Sequence, residues 1–320
     1  MRIALVGYGN VGRAFARLLD GKRSVFPFLI SGIQKRNHAA IDLNGLPVDV
    51  EVNGPRLDVG EFLDQCQPEV MIEITTLEPA TGEPAISHIR AAFARGIHVI
   101  TANKGPLAHA YSALMQEAAL RQCQFRFEST CMDGAPVFNM VRNCLPGVDI
   151  SGFTGVLNST SKVVIAAMRD GKSMEDGIRE AQRMGIAEAD ASYDIDGWDS
   201  AAKTATLANV LLHANRTPLD VDRKGIGRLT PEKIEDLKTQ GKTVCLVSRA
   251  HRTPSGDIKM RVRAEVLPET DILASLQGTS NLLLLHTDLM GTVGTVAIAP
   301  GVEQTAYGLF SDLVDIAKSL

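Results

Sequence analysis

Residues 3–21, IALVGYGNVGRAFARLLDG, decide the architecture of the first half of this chain. A short apolar run leads into Gly7, Gly9 and Gly12 in G-x-G-x-x-G register, and a helical pattern follows with Ala14, Phe15, Leu18 and Leu19 on one face. Each glycine answers a separate need: Gly7 permits a tight turn, Gly9 lets the backbone approach a pyrophosphate, and Gly12 lets the helix press closely on the strand. The start of the helix, at Asn10 and Val11, offers free N–H groups to an anion. A glycine-rich turn elsewhere would say little, but between a strand and a helix it is a dinucleotide-binding fingerprint.

Working outward, PFLISGI (27–33) reads as the next strand. A cofactor without a 2′-phosphate would meet an acid at the end of this strand, where the chain instead has Gln34, Lys35 and Arg36. Two cations and no carboxylate favour NADP(H) over NAD(H), with NAD(H) the alternative. EVMIEITT (69–76), EPAISHIRAAFARG (83–96), HVITANK (98–104), YSALMQEAALRQ (111–122) and FRFEST (125–130) then alternate strand and helix. This alternation predicts a parallel, doubly wound Rossmann sheet over residues 1–135. Such sheets bind ligands beyond the carboxyl ends of their strands, which places Thr75, Thr101, Asn103 and Lys104 at the cofactor crevice.

After Pro146 the texture changes. DISGFTGVLNS reads as a strand, helical segments follow, and from TVCLVSRAHR to TVGTVAIA the chain alternates in strand fashion between turn residues such as Pro254 and Gly256. Residues 136–300 are therefore expected to form an α+β domain, a largely antiparallel sheet covered by helices. Residues 301–320 form an amphipathic helix returning to the nucleotide-binding domain. TPEKIEDLKTQG reads as a structural helix capped by Thr230 and stopped by Gly241.

A chain of 320 residues with 45% hydrophobic content is long enough for these two cores, and its net charge of −4 shows no basic stripe for nucleic acid. No apolar run approaches the roughly 18 residues of a membrane span. Five cysteines without CxxC spacing indicate reduced thiols and a cytoplasmic protein.

Residues 181–203, AQRMGIAEADASYDIDGWDSAAK, carry the chemistry. Glu188, Asp190, Asp194, Asp196 and Asp199 crowd a polar turn that feeds a helix, and Asp199 and Lys203 stand at i and i+4 on one face. A solvated ion pair would explain the last two alone. The crowding of like charge calls for a bound cation, and a substrate ammonium group would serve.

GYGNVG (7–12), HVITANK, ESTCMDGAPV (128–137) and residues 181–203 together make the chain resemble the homoserine dehydrogenases over nearly its whole length. The most specific match is the family's Ala, a Gly four residues on, and DxxGxDxxxK, supplied by Ala181, Gly185, Asp194, Gly197, Asp199 and Lys203. The resemblance implies NAD(P)H-dependent reduction of L-aspartate 4-semialdehyde to L-homoserine. Lys104 and Lys203 would face the reacting carbon, with Asp199 orienting Lys203. Thr160, Glu188 and Asp194 would hold the amino-acid substrate, and Gly301 and Thr305 of APGVEQTAYG would return to the cofactor. Glu128 would help bind Na+ or K+, its alternative being a strand-end acid bonded to neighbouring amides. A homodimer built on the second domain is implied, without the carboxyl-terminal regulatory domain that many relatives carry. NSTSK (158–162) departs from the family's NGTTN, putting Lys162 beside the substrate. A dehydrogenase of the same fold acting on another small hydroxy amino acid or hydroxy acid is the runner-up, and a non-catalytic nucleotide sensor is a further alternative, for which no DNA-reading appendage is present.

Overall fold

The structure, a computed structural model, describes residues 1–320. Its contacts divide the chain into one unit of Met1–Leu145 with Gly301–Leu320 and a second unit of Pro146–Pro300.

In the first unit the strands are β1 (Arg2–Val6), β2 (Leu29–Gln34), β3 (His38–Ile41), β4 (Gly54–Pro55), β5 (Val70–Glu73), β6 (His98–Thr101) and β7 (Phe125–Arg126). The helices are α1 (Asn10–Gly21), α2 (Val59–Cys66), α3 (Ala85–Phe93), α4 (Lys104–Leu120) and α5 (Phe138–Cys144). The sheet order is β4-β3-β2-β1-β5-β6-β7, parallel from β2 to β7, with β3 and β4 antiparallel at one edge. Chain order reverses between β1 and β5, so the crevice for a ligand opens at their carboxyl ends, after Val6 and Glu73. Ile3, Leu5, Phe15, Leu19, Ile72 and Ile100 form the core on one face.

The C-terminal helix closes that core: it inserts Leu309, Leu313 and Ile316 beside α1. Asp315 of the same helix bonds Arg126 at 2.8 Å and Arg142 at 2.9 Å. The unit therefore extends to Leu145 rather than to residue 135, because α5 is tied back by Glu128, whose carboxylate caps its amino end.

The second unit consists of β8 (Ile150–Val156), α6 (Ser159–Arg169), α7 (Met174–Arg183), α8 (Ser192–Ile195), α9 (Trp198–Leu212), β9 (Asp222–Arg223), α10 (Pro231–Thr239), β10 (Lys242–Arg252), β11 (Ile258–Pro268), β12 (Asn281–Thr287) and β13 (Thr292–Ala297), after which α11 (Val302–Lys318) is the C-terminal helix of the first unit. The sheet order is β13-β12-β8-β10-β11-β9, antiparallel except where β9 joins β11. Helices α6, α9 and α10 cover one face. Ala201, Ala202, Ala205 and Ala208 let α9 lie almost wholly buried, since small side chains bring the helix close to β8, β10 and β11. Both architectures expected from the sequence are present, and the short strands β3, β4 and β9 are additions that periodicity did not reveal.

Candidate active site

The glycine turn of the first unit has the geometry its sequence demands. Gly7 sits at φ +100°, and a Cβ there would lie 2.4 Å from the Ile74 carbonyl oxygen, so no other residue fits. A Cβ on Gly12 would press on Ile74 and Tyr8 at 3.1 Å, the mark of close helix-to-strand packing. Gly9 differs: a Cβ there would meet nothing of the protein within 4 Å. What needs glycine at that position is something approaching from outside. Gly9 is also the N-cap of α1 without any side chain to cap it, so the first N–H groups of the helix, at Asn10, Val11 and Gly12, point to an incoming anion.

A cleft of about 620 Å3 opens there, lined by Gly7, Gly9, Lys35, Arg36, Thr75 and, unforeseen from sequence, Arg56 and His88. Lys35 Nζ lies 5.8 Å from the centre of the Tyr8 ring. Arg56 reaches the cleft because β4 pairs with β3, which no local pattern announced. These residues fit a dinucleotide: an open backbone turn, free helix N–H groups, Lys35 and Arg36 after β2 and Arg56 after β4, with no carboxylate lining the cleft.

Beneath the cleft lies a buried hub. Glu73 is fully buried and accepts hydrogen bonds from Thr75 N at 3.1 Å, from the Thr75 hydroxyl and from the Thr101 hydroxyl at 3.1 Å. Thr101 Oγ1 in turn accepts from Asn103 N at 2.9 Å, and Asn103 Oδ1 caps α4 through Gly105 N at 3.0 Å. Thr101 was expected to touch the cofactor. It is instead wholly buried, its hydroxyl spent on Glu73, and it acts by fixing the ends of β5 and β6. Lys104 opens α4 directly after this knot. Gly301 and Thr305 stand at the start of α11, where Thr305 Oγ1 bonds the Gly301 carbonyl at 3.2 Å, and neither lines the cleft.

Glu128 does not fit a cation. Both its oxygens face N–H groups: Val137 N at 2.6 Å and Phe138 N at 3.0 Å on one, Asn139 N at 2.5 Å on the other. Asp312 lies alongside, accepting from Glu128 N at 2.8 Å and Asn139 Nδ2 at 3.1 Å. Burial raises the carboxyl pKa of Glu128 and pushes that of Asp312 up to about 7. The bonded-acid alternative describes this site, and no catalytic step is routed through a metal.

In the second unit the acidic segment sorts itself. Glu188, Asp190 and Asp196 are exposed, and Asp190 merely accepts from Ser192 N at 2.9 Å. Asp194 and Asp199 turn inward to Asn158, whose Nδ2 donates to both at 2.6 and 3.1 Å while its Oδ1 caps α6 through Ser161 N at 2.7 Å. Thr160 Oγ1 donates to Asp194 at 3.2 Å. Burial, and then the neighbouring Asp199 charge, raises the pKa of Asp194. Lys203 Nζ lies 3.2 Å from Asp199 Oδ2 and donates to the Leu157 carbonyl at 2.7 Å, which leaves one N–H uncommitted. Two acids, one ammonium and a hydroxyl thus converge, and Asn158 is the organiser that sequence reading passed over. Glu188, exposed, joins none of them through its carboxylate.

Lys162 is also not where expected. Two residues beyond Thr160 on a helix is about 200° of rotation, so the two face opposite sides of α6.

Comparison with known proteins agrees with this geometry. A family profile described as "Homoserine dehydrogenase, NAD binding domain" matches residues 7–128, and one described as "Homoserine dehydrogenase" matches residues 136–314. The NAD(+)-dependent homoserine dehydrogenase of Pseudomonas canavaninivorans is 32% identical over 99% of this chain and 96% of its own. The homoserine dehydrogenase of Methanocaldococcus jannaschii is also 32% identical, over 100% of this chain and 99% of its own. Among solved structures, a putative homoserine dehydrogenase from Archaeoglobus fulgidus superposes with a TM-score of 0.89 at 27% identity, covering 99% of both chains. With the glycine turn, the cleft and the Asp194–Asp199–Lys203 cluster in place, the chain belongs to the homoserine dehydrogenase family, NAD(P)-dependent oxidoreductases acting on CH–OH groups.

Proposed function

We propose that this chain reduces L-aspartate 4-semialdehyde to L-homoserine in amino-acid biosynthesis, with NADPH the preferred reductant and Lys203 the proton donor. The observation that carries the reading is the Lys203 ammonium, held by Leu157 and Asp199 with one N–H to spare. A bound nicotinamide supplies the hydride. As hydride reaches the aldehyde carbon, negative charge grows on oxygen, and an ammonium in hydrogen-bond reach both stabilises it and gives up its proton. Asp199, 3.2 Å from its Nζ, orients Lys203. Asp194, with Thr160, receives the substrate ammonium, because two carboxylates against one lysine leave the cluster one negative charge in excess. Lys104 is the second ammonium assigned to the reacting end.

NADP(H) is preferred on the strength of Lys35, Arg36 and Arg56, which can grip a 2′-phosphate, although one relative is named for NAD+. Purified protein with L-homoserine should give nicotinamide absorbance faster with NADP+ than with NAD+. Replacing Arg36 and Arg56 together by serine should raise KM for NADP+ by roughly a hundredfold or more with little change for NAD+, each lost charged hydrogen bond being worth about 1.5–3 kcal/mol. Equal KM values for both cofactors in the unaltered chain would refute the preference. No turnover of homoserine with either cofactor would refute the activity.

A homodimer through the second unit completes the reading. Val296 on β13, Ile298 just after it, and Leu289 and Met290 in the turn between β12 and β13 are exposed apolar side chains, more than a free sheet needs. Sedimentation should give a dimer at micromolar concentration, and a monomer there would oppose it. The five cysteines are all unpaired, in keeping with a cytoplasmic location.

A further inference from the structure

The face of α6 turned away from Thr160 borders a second cavity, of about 610 Å3, wholly within the second unit. Lys162, Ile165, Ala166 and Arg169 line it at i, i+3, i+4 and i+7, opposite Val244 and Cys245 of β10 and the segment 269–278. Its two cations differ in kind. Arg169 is committed, donating to the Lys242 carbonyl at 2.8 Å and pairing with Glu269. Lys162 Nζ is buried and has no hydrogen-bond partner at all. An ammonium withdrawn from water without an acceptor is costly, and such orphans are rare unless a ligand or water completes them. Burial, chiefly, lowers the Lys162 pKa to about 8, with the Lys203 charge adding to the effect and Cys245 opposing it.

We propose that this cavity is a binding site for a small aliphatic monocarboxylate, whose carboxylate is received by Lys162. A single buried positive charge matches a single negative one. The walls nearby, Ile165, Val244, Ala274 and Leu276, suit a short apolar tail. Asp170 and Glu269 on the same lining disfavour a dianion such as phosphate. The site lies apart from the Asp194–Asp199–Lys203 cluster but shares α6 with it, since Asn158 and Thr160 stand at the amino end of that helix. Occupancy also cancels a like charge within electrostatic reach of Lys203.

The charged and titratable groups facing Lys162 are Cys245, whose thiol burial pushes up to about 11, Lys203, and Arg169, Asp170 and Glu269 on the cavity lining. Since the anion binds the ammonium form, binding near pH 8 must draw in protons, and affinity should fall roughly tenfold per pH unit above that. The test is calorimetric titration of the full chain with 2-oxobutyrate and with L-2-aminobutyrate at pH 8, in two buffers of different ionisation enthalpy. We expect saturable binding with net proton uptake, lost in Lys162→Met and retained in Lys203→Met. Binding of 2-oxobutyrate alone defines a plain carboxylate site, and binding of both shows that a free amino group is tolerated. On the unaltered chain, the bound carboxylate should raise the pH at which the Lys162 ammonium titrates, read from its side-chain NMR signal. No binding of either compound at millimolar concentration, undiminished binding in Lys162→Met, or an unmoved Lys162 titration would each overturn the proposal.

Discussion

Lys203→Met is expected to lower kcat by roughly 10³-fold while leaving nicotinamide-cofactor binding unchanged, within the range for loss of a positioned general acid. Methionine keeps the length and apolar stem of lysine but has neither proton nor charge to offer the growing alkoxide. The nucleotide cleft belongs to the other unit of the chain and holds none of the residues that touch Lys203, so cofactor titration by fluorescence separates the two functions. Folding must be checked in parallel. The substitution strands the Leu157 carbonyl and removes one partner of Asp199, though Asn158 Nδ2 still serves Asp199 at 3.1 Å. Asp199→Asn should cost less than Lys203→Met, since it weakens the aim of the ammonium without removing it. A Lys203→Met enzyme with kcat within about threefold of the unaltered chain would show that the proton comes from elsewhere.

The largest stability effect is expected at Glu128. Glu128→Ala should cost about 3 kcal/mol or more, because it leaves the N–H groups of Val137, Phe138 and Asn139 without their shared acceptor. Relief of repulsion with Asp312 offsets part of that loss. Glu128→Gln should fall between, since an amide oxygen can still accept while its NH2 group opposes an N–H. Urea unfolding measures the order. The pH dependence gives an independent sign. Asp312 has a pKa near 7 in the fold against 3.8 as its ordinary value, so the folded state holds the extra proton between these limits. Stability from this group therefore falls as pH rises from 3.8 to about 7 and is level above. Removing the Glu128 charge should flatten that slope. If Glu128→Ala is as stable as the unaltered chain, or if activity depends on Na+ or K+ at this residue, the amide-cap account is wrong.

The parts of the molecule that sequence could reveal are those whose cause is local. The turn at Gly7, Gly9 and Gly12 is dictated by backbone sterics within a few residues, and the Asp199–Lys203 pair by a single helical turn. What stayed hidden depends on partners distant in the chain. Arg56 enters the cleft only because β4 pairs with β3. Thr101 is withdrawn from it because Glu73, on the adjacent strand, claims its hydroxyl. The five carboxylates of residues 181–203 look equivalent on paper, but Asn158 selects Asp194 and Asp199 and leaves the others in water. Lys162 resembles a substrate contact by position in NSTSK, and only the angular sense of α6 turns it toward a separate cavity.

The first unit is discontinuous in sequence, since α11 supplies part of its core only after residues 146–300 have been made. On the ribosome, the side of α1 that α11 covers therefore stays bare until α11 emerges. The intervening unit has all its strands and helices available sooner and can finish first, so synthesis reverses the order in which the two halves are written. Removing Leu309 to Ile316 would damage the part of the protein farthest from them in sequence.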